Sequence, residues 1–245
     1  MQRAAAVTPF ALSLTRDRAV RLSNTFAQDG RLRIGDILAP GDADALYRYL
    51  TEDGEWWRTL NMGEKSWDLG PESIAALTQE QERELTAAIH AQAQDGFQYV
   101  YDRIRVSDDP AERCERNWPV DRFVEAMNRP ETLAILRMIT GNDAISYVDG
   151  QATRYLPGQF LTAHDDAIAR KNRIAAYVLN LTPQWRGEWG GLLQFHAQDG
   201  DIERAFTPGY NILNLFRVPQ MHSVSLVAPF AGGPRLAITG WLRHD

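Results

Sequence analysis

The rhythm of hydrophobic and polar residues changes near Ala144. Upstream, apolar positions recur mostly at helical spacing. Leu32-Arg33-Ile34 predicts a strand that runs on to Asp36-Ile37-Leu38. Pro40-Gly41-Asp42 opens a helix to about Glu52, with Ala45, Leu46, Tyr49 and Leu50 at helical intervals. Trp56, Trp57 and Leu60 predict a buried strand, and Gly70-Pro71 breaks the chain. Thr78 and Gln81 have the spacing of a capping box for a helix to about Gln94. Phe97 to Val106 alternates aromatic and polar residues as a strand does. Pro119 and Pro130 bracket a short segment. Pro130 and Gly141 then fit the first turn and the C′ position of a helix carrying Leu133, Leu136, Arg137 and Ile139. Residues 1–30 are weakly patterned, with a start expected to be mobile.

Downstream, short strand candidates alternate with turns. They are Ala144–Val148, Gln151–Tyr155, Gln159–Ala163, Ile174–Leu181, Gly191–His196, Tyr210–Phe216, Val224–Ala228 and Leu236–Leu242. Turn dipeptides such as Asp149-Gly150, Pro157-Gly158, Asp199-Gly200 and Gly232-Gly233 punctuate them. Strands at this spacing predict a sandwich or barrel. The fold class is therefore α+β. No flexible linker is evident, so residues 1–245 form one expected domain, with 1–143 mainly helical support and outer strands and 144–245 the β core.

Composition narrows the function. The 245 residues carry a formal net charge of −6, which argues against a broad nucleic-acid surface. The single cysteine, Cys114, cannot form an intrachain disulfide, so nothing indicates an oxidising compartment. No apolar run approaches the length of a membrane span, and Met1 to Val7 is too short in its apolar part for a secretory signal. The expectation is a cytoplasmic protein with no membrane and no nucleic-acid partner. Oligomeric state is not legible.

Five histidines are present: His90, His164, His196, His222 and His244. His164-Asp165-Asp166 follows a strand candidate. In an extended segment residues i and i+2 share a face, so His164 and Asp166 would aim at one point and Asp165 away from it. His222, 222 − 164 = 58 residues on, supplies a third ligand. Two imidazoles and one carboxylate on one face of a metal leave open positions, the arrangement of non-haem Fe(II) oxygenases. Zinc could bind the same trio, and hydrolysis would then be the chemistry. By itself a His-x-Asp pair is an ordinary surface turn, and His196 is expected at the surface.

A second feature concerns Arg235. In Arg-Leu-Ala-Ile-Thr-Gly-Trp, alternation puts Arg235, Ala237, Thr239 and Trp241 on one face of a late strand. A buried arginine needs an anion, and its planar fork suits a carboxylate. The bland alternative is a structural salt bridge to an internal Asp or Glu.

With these residues in place, positions of about 150 to 242 resemble the prolyl 4-hydroxylase-like branch of the iron(II)/2-oxoglutarate dioxygenases. The matching elements run in order: Arg154-Tyr155-Leu156-Pro157-Gly158, His164-Asp165-Asp166, Arg173, Glu188-Trp189-Gly190-Gly191, Asn214-Leu215-Phe216, His222-Ser223-Val224 and Arg235 to Trp241. The resemblance implies a double-stranded β-helix (jelly-roll) core with N-terminal supporting helices. It also implies Fe(II), with 2-oxoglutarate and O₂ as cosubstrates and ascorbate admitted as an accessory reductant. One oxygen atom would go to 2-oxoglutarate, giving succinate and CO₂, and the other would hydroxylate a C–H bond. Carried over by position, His164, Asp166 and His222 would ligate iron and Arg235 would take the distal carboxylate. Tyr155 would line the cosubstrate pocket, Thr239 would assist Arg235, and Asn180 would stand where a tyrosine is frequent. Tyr177, on the same strand, would point the other way, and Leu192-Leu193 replace an acidic residue common after Gly-Gly.

Substrate contacts are expected from Ala167–Asn172 with Arg170 and Lys171, from the strand Phe97–Val106 and from Arg113–Trp118. The preferred substrate is a prolyl-type residue in a protein or peptide. The alternatives are a free amino acid or small metabolite, and a non-oxygenase cupin-like metal-binding module. A second arginine six residues beyond the first would mark a nucleic-acid demethylase, and position 241 is Trp.

Overall fold

The computed structural model describes residues 10–244. The expected mobile start falls largely on residues 1–9, outside the described residues. The rest of that weakly patterned stretch holds a helix, α1 (Arg16–Asp29). Its signal is in its ends rather than its face: the Thr15 side chain accepts from the Arg18 N–H, and Gly30 closes the helix at φ +66°. Only Ala19 and Phe26 are buried, so little apolar periodicity reaches the sequence.

β1 (Arg31–Gly35) and α2 (Pro40–Arg48) follow, the latter running into a π-turn over Tyr49–Asp53. β2 (Trp57–Met62) and β3 (Lys65–Leu69) form a hairpin. Next come α3 (Pro71–Ala75), α4 (Gln79–Asp95), β4 (Tyr99–Arg105), α5 (Pro110–Arg116), α6 (Pro119–Met127) and α7 (Pro130–Thr140). The capping box at Thr78 and Gln81 and the left-handed Gly141 are both present. The segment between the two prolines is helical, with Val120, Phe123, Val124 and Met127 at i, i+3, i+4 and i+7.

The second half supplies β5 (Tyr147–Val148), β6 (Gln151–Tyr155), β7 (Phe160–His164), β8 (Arg173–Leu181), β9 (Leu193–His196), β10 (Ile202–Phe206), β11 (Tyr210–Arg217), β12 (His222–Val224) and β13 (Arg235–Arg243). The strand expected over Val224–Ala228 instead starts at His222, and β5 is only two residues long. β3 and β10 were not legible, because both are polar and exposed and lack alternating burial.

The strands pair in the order β1-β11-β8-β13-β6-β4-β7-β12-β9-β10, with β2 beside β4 and β5 beside β13. The sheet curls until its ends meet: Arg31 of β1 pairs with Glu203 of β10 at 2.5 Å. Phe195 of β9 meets Phe216 of β11 edge-on, 5.2 Å between centroids, across the interior. This is the double-stranded β-helix. Its boundary differs from expectation at Ala144, since β1 and β4 from the first half are full members of the sheet.

Strand alternation divides the core. On β8, Tyr177, Leu179 and Leu181 face outward into one large cluster with Leu46, Phe123, Val124, Leu133 and Leu136 of the helices. Ala176 and Val178 face inward with Phe195, Phe216 and Ala237. Burying the outer face under helices leaves the inner face free for a site. Among the described residues, no helix is long and apolar enough to cross a membrane.

Candidate metal centre and cosubstrate cavity

β7 ends at His164 and β12 begins at His222, and these two residues are directly paired across the strands. Their ring centroids lie 4.1 Å apart. Asp166 joins them by a route that strand alternation did not foresee. The chain leaves β7 at His164, and Asp166 takes a left-handed conformation, φ +63°. That turn brings the carboxylate back towards the two rings. Asp166 Oδ1 lies 3.7 Å from His164 Nε2, and Oδ2 lies 3.5 Å from His222 Nε2. One ligand atom from each residue falls within 4.8 Å of the others.

The outer nitrogens of both rings face backbone carbonyls. His164 Nδ1 donates to Thr162 O at 3.0 Å and His222 Nδ1 to Gln220 O at 2.7 Å. A carbonyl can only accept, so Nδ1 carries the proton and each Nε2 offers its lone pair to the shared point. Burial, and then the neighbouring His164, push the His222 pKa down to about 4. Both effects keep the ring neutral, as a metal ligand must be.

Asp166 is held from behind by two residues not assigned a role above. Trp241 Nε1 donates to Oδ2 at 2.9 Å, and Arg173 donates to Oδ1 at 3.0 Å and to the backbone carbonyl at 3.2 Å. The Arg173 guanidinium stacks over the Trp241 ring at 3.5 Å. A signal for Trp241 existed in the sequence: it shares the inward face of β13 with Arg235.

The triad opens into a cavity of about 470 Å³ whose lining includes Tyr155, Arg235, Thr239 and Trp241. Arg235 is 1% exposed, and its Nε and Nη1 have no hydrogen-bond partner. Its guanidinium sits 5.0 Å from the centroid of the Tyr155 ring, on the same rung of the sheet. No carboxylate among the described residues pairs with it, so the structural salt bridge is not formed. Burial lowers its pKa, and the Tyr155 hydroxyl beside it opposes the shift. A buried, unpaired guanidinium is costly unless an anion completes it. The donor set therefore fits Fe(II) at the triad, and the orphaned nitrogens fit a dicarboxylate reaching into the same cavity. Tyr155 is buried too, which raises its pKa and keeps its hydroxyl protonated as a donor.

Other expected site residues fall elsewhere. Thr239 lines the cavity, but four residues of strand, about 13 Å, separate it from Arg235. It therefore lies towards Trp241 and the triad, not at the distal carboxylate. The inward position next to Arg235 is Ala237. Asn180 is absent from the lining: its amide donates to Ile212 O at 3.1 Å and it serves the sheet. Tyr177 points outward, as expected, and donates to Asp149 O. Asp165, expected to aim away, also lines the cavity, with Oδ1 accepting from the Ala167 N–H. Of the following loop, Ala167 and Ile168 reach the cavity, whereas Arg170 and Lys171 do not. In the segment Arg113–Trp118, Arg113 turns away and donates to Glu125, while Arg116 and Trp118 line a neighbouring cleft rather than this cavity. Tyr99 and Tyr101 of β4 do line it. His196 is half-buried rather than superficial and faces Ser223 Oγ at 2.8 Å.

Residues 150–243 match the model of the 2OG-Fe(II) oxygenase superfamily. The chain is 29% identical over 158 residues to the prolyl 3-hydroxylase sudestada1 of Drosophila melanogaster, covering 59% of this chain and 28% of that protein. It is 31% identical over 115 residues to the prolyl 3-hydroxylase OGFOD1 of Mus musculus, covering 44% of this chain and 21% of that protein. The chain thus spans well under half the length of these relatives. A prolyl-4-hydroxylase from Pseudomonas putida superposes with a TM-score of 0.56 at 18% identity, covering 93% of this chain and 99% of that one. A Trichoplax adhaerens prolyl hydroxylase, in complex with a hypoxia inducible factor peptide fragment, gives 0.60 at 16% identity, covering 94% of each. At such identities the superpositions speak to the fold.

Proposed function

We propose that this chain, whose residues 150–243 match the 2OG-Fe(II) oxygenase superfamily model, hydroxylates a prolyl-type residue of a protein or peptide. The reaction consumes 2-oxoglutarate and O₂ and yields succinate, CO₂ and the hydroxylated residue. The observation that carries this reading is the orphaned, buried Arg235 in the same cavity as the His164–Asp166–His222 triad. A zinc hydrolase or a plain metal-binding module has no use for it.

In this reading His164, Asp166 and His222 hold Fe(II), which supplies the oxidising chemistry when bound. Arg235 takes the distal carboxylate of 2-oxoglutarate, and Tyr155 orients it with a neutral hydroxyl. Trp241 and Arg173 fix the Asp166 carboxylate. The inward apolar wall of Ala176, Val178 and Phe216 limits water around the reacting centre.

The prolyl assignment draws support from the relatives named as prolyl hydroxylases. The mouth favours a peptide over a free metabolite. Phe97 and Ile168 line it while remaining 50% and 52% exposed, so the rim offers apolar surface to something larger than the cavity. We further propose that 1–245 works as one domain, because the large core cluster runs from Phe10 to Leu242. A cytoplasmic setting is proposed from the single cysteine.

The test is incubation of the protein with Fe(II), 2-oxoglutarate, O₂ and proline-containing peptides. Succinate together with a peptide gaining one oxygen atom is expected. Absence of both products in a folded, iron-loaded sample would contradict the proposal.

A further inference from the structure

The inner face of the sheet does not end at the cavity. On β4, alternation puts Tyr99, Tyr101, Arg103 and Arg105 on one side. Tyr99 and Tyr101 line the metal cavity, while Arg103 and Arg105 line a second cleft of about 320 Å³ with Trp57 and Trp118. The two hollows share a rung: Arg105 lies directly opposite Gln151, and Gln151 lines the metal cavity. Directly opposed side chains lie about 5 Å apart at Cβ, so Arg105 stands at the cavity rim. The hairpin widens this shelf, with Trp57 opposite Arg103 and Ser66 accepting from the Tyr99 hydroxyl at 2.7 Å.

Two charges on the shelf, the Glu55 carboxylate and the Arg105 guanidinium, have no ion-pair partner among the described residues. Arg103 pairs with Asp68 at 2.6 Å, Arg116 pairs with the buried Asp121, and Glu55 accepts from the Trp57 indole at 3.1 Å. The exposed Arg105 side chain has no hydrogen-bond or ion-pair partner among the described residues. Its backbone is nevertheless fixed, because Arg116 donates to the Arg105 carbonyl at 3.2 Å and stacks on Trp118 at 4.1 Å. Trp57 and Trp118 leave 43% and 36% of their surface exposed beside it.

We infer that this shelf binds the peptide flanking the target residue, and that Arg105 selects an acidic side chain there. The inference rests on the peptide-hydroxylase reading. An unpaired cation in a cleft shared with two partly exposed tryptophans suits a carboxylate on an otherwise apolar stretch. From Tyr101 to Arg105 is four residues of strand, about 13 Å, the span of roughly four extended substrate residues. The selected Asp or Glu is therefore separated from the target by intervening residues rather than adjacent to it.

Synthetic dodecapeptides with one central proline, and with Glu, Ala or Lys scanned through the flanking positions, provide the test, read by mass spectrometry. Wild type should prefer Glu to Lys roughly two- to fivefold in kcat/KM at one or two offsets on a single side, the size expected of an exposed ion pair. Arg105→Glu should invert that preference, Arg105→Gln should abolish it while still hydroxylating the Ala peptide, and Arg105→Lys should retain it. Equal use of Glu and Lys peptides by wild type, or an unchanged preference in Arg105→Gln, would overturn the role of Arg105 alone. Hydroxylation of none of the peptides by a wild-type protein that binds Fe(II) and 2-oxoglutarate would overturn the peptide reading beneath it.

Discussion

The Trp241 indole N–H donates to Asp166 Oδ2 at 2.9 Å, on the carboxylate that faces both His164 and His222. Asp166 thus reaches the metal position already engaged on both oxygens, Oδ1 by Arg173 and Oδ2 by Trp241. Partners of this kind orient a ligand and tune its affinity.

Trp241→Phe keeps the ring and removes the donor. Iron affinity should fall roughly tenfold, the usual scale for losing such a partner. Anaerobic Fe(II) titration of both proteins measures it. Equal affinities would show that Arg173 alone suffices to hold the carboxylate.

Asp166→Asn separates ligand chemistry from folding. Asn tolerates the left-handed backbone that Asp166 adopts, φ +63°, so the turn should survive. Turnover should be lost while the melting temperature stays close to wild type. Asp165→Asn should retain most activity, since the Asp165 carboxylate only caps the local turn through the Ala167 N–H. Comparable losses in both variants would mean that Asp165 has a role in the chemistry.

Arg235→Met should move stability in two directions. Removing a buried guanidinium whose Nε and Nη1 are unpaired should stabilise the ligand-free protein by on the order of 1 kcal/mol. The same variant should lose the thermal stabilisation that 2-oxoglutarate gives the metal-loaded wild type. Melting curves with and without cosubstrate read both effects.

Gly190 holds the turn into β9 at φ +69°, and a Cβ there would collide with the Leu226 carbonyl. Gly190→Ala should therefore cost about 2 kcal/mol or more of stability, combining backbone strain and a steric clash. Urea denaturation tests this, and an unchanged midpoint would mean that the turn relaxes freely.

The cluster of His164, Asp166 and His222 and the inward Arg235 were legible because these residue types are few and strand alternation predicts inward faces for them, even though His222 stands 58 residues from His164. The mechanism of convergence was not. Alternation along an extended strand was expected to aim His164 and Asp166 together, whereas the left-handed turn at Asp166 does so. Thr239 shows a second limit: sharing a face with Arg235 says nothing of the 13 Å or so along the strand between them. Asn180 shows a third, because its inward register could not reveal that its amide is spent on Ile212 O. Strands β3 and β10 and helix α1 escaped notice since each buries too little apolar surface to imprint a period. The helices and the long strands β8 and β13 bury regular faces, and these were visible.

In the proposed function the triad and Arg235 bind Fe(II) and 2-oxoglutarate together. Anaerobic titration with both, in wild type and Arg235→Ala, tests it through the visible charge-transfer band of an iron–keto-acid chelate. Wild type should show the band, and the variant should show it only at much higher 2-oxoglutarate concentration. No band in a folded, iron-loaded wild type would show that the triad and Arg235 do not form a joint site.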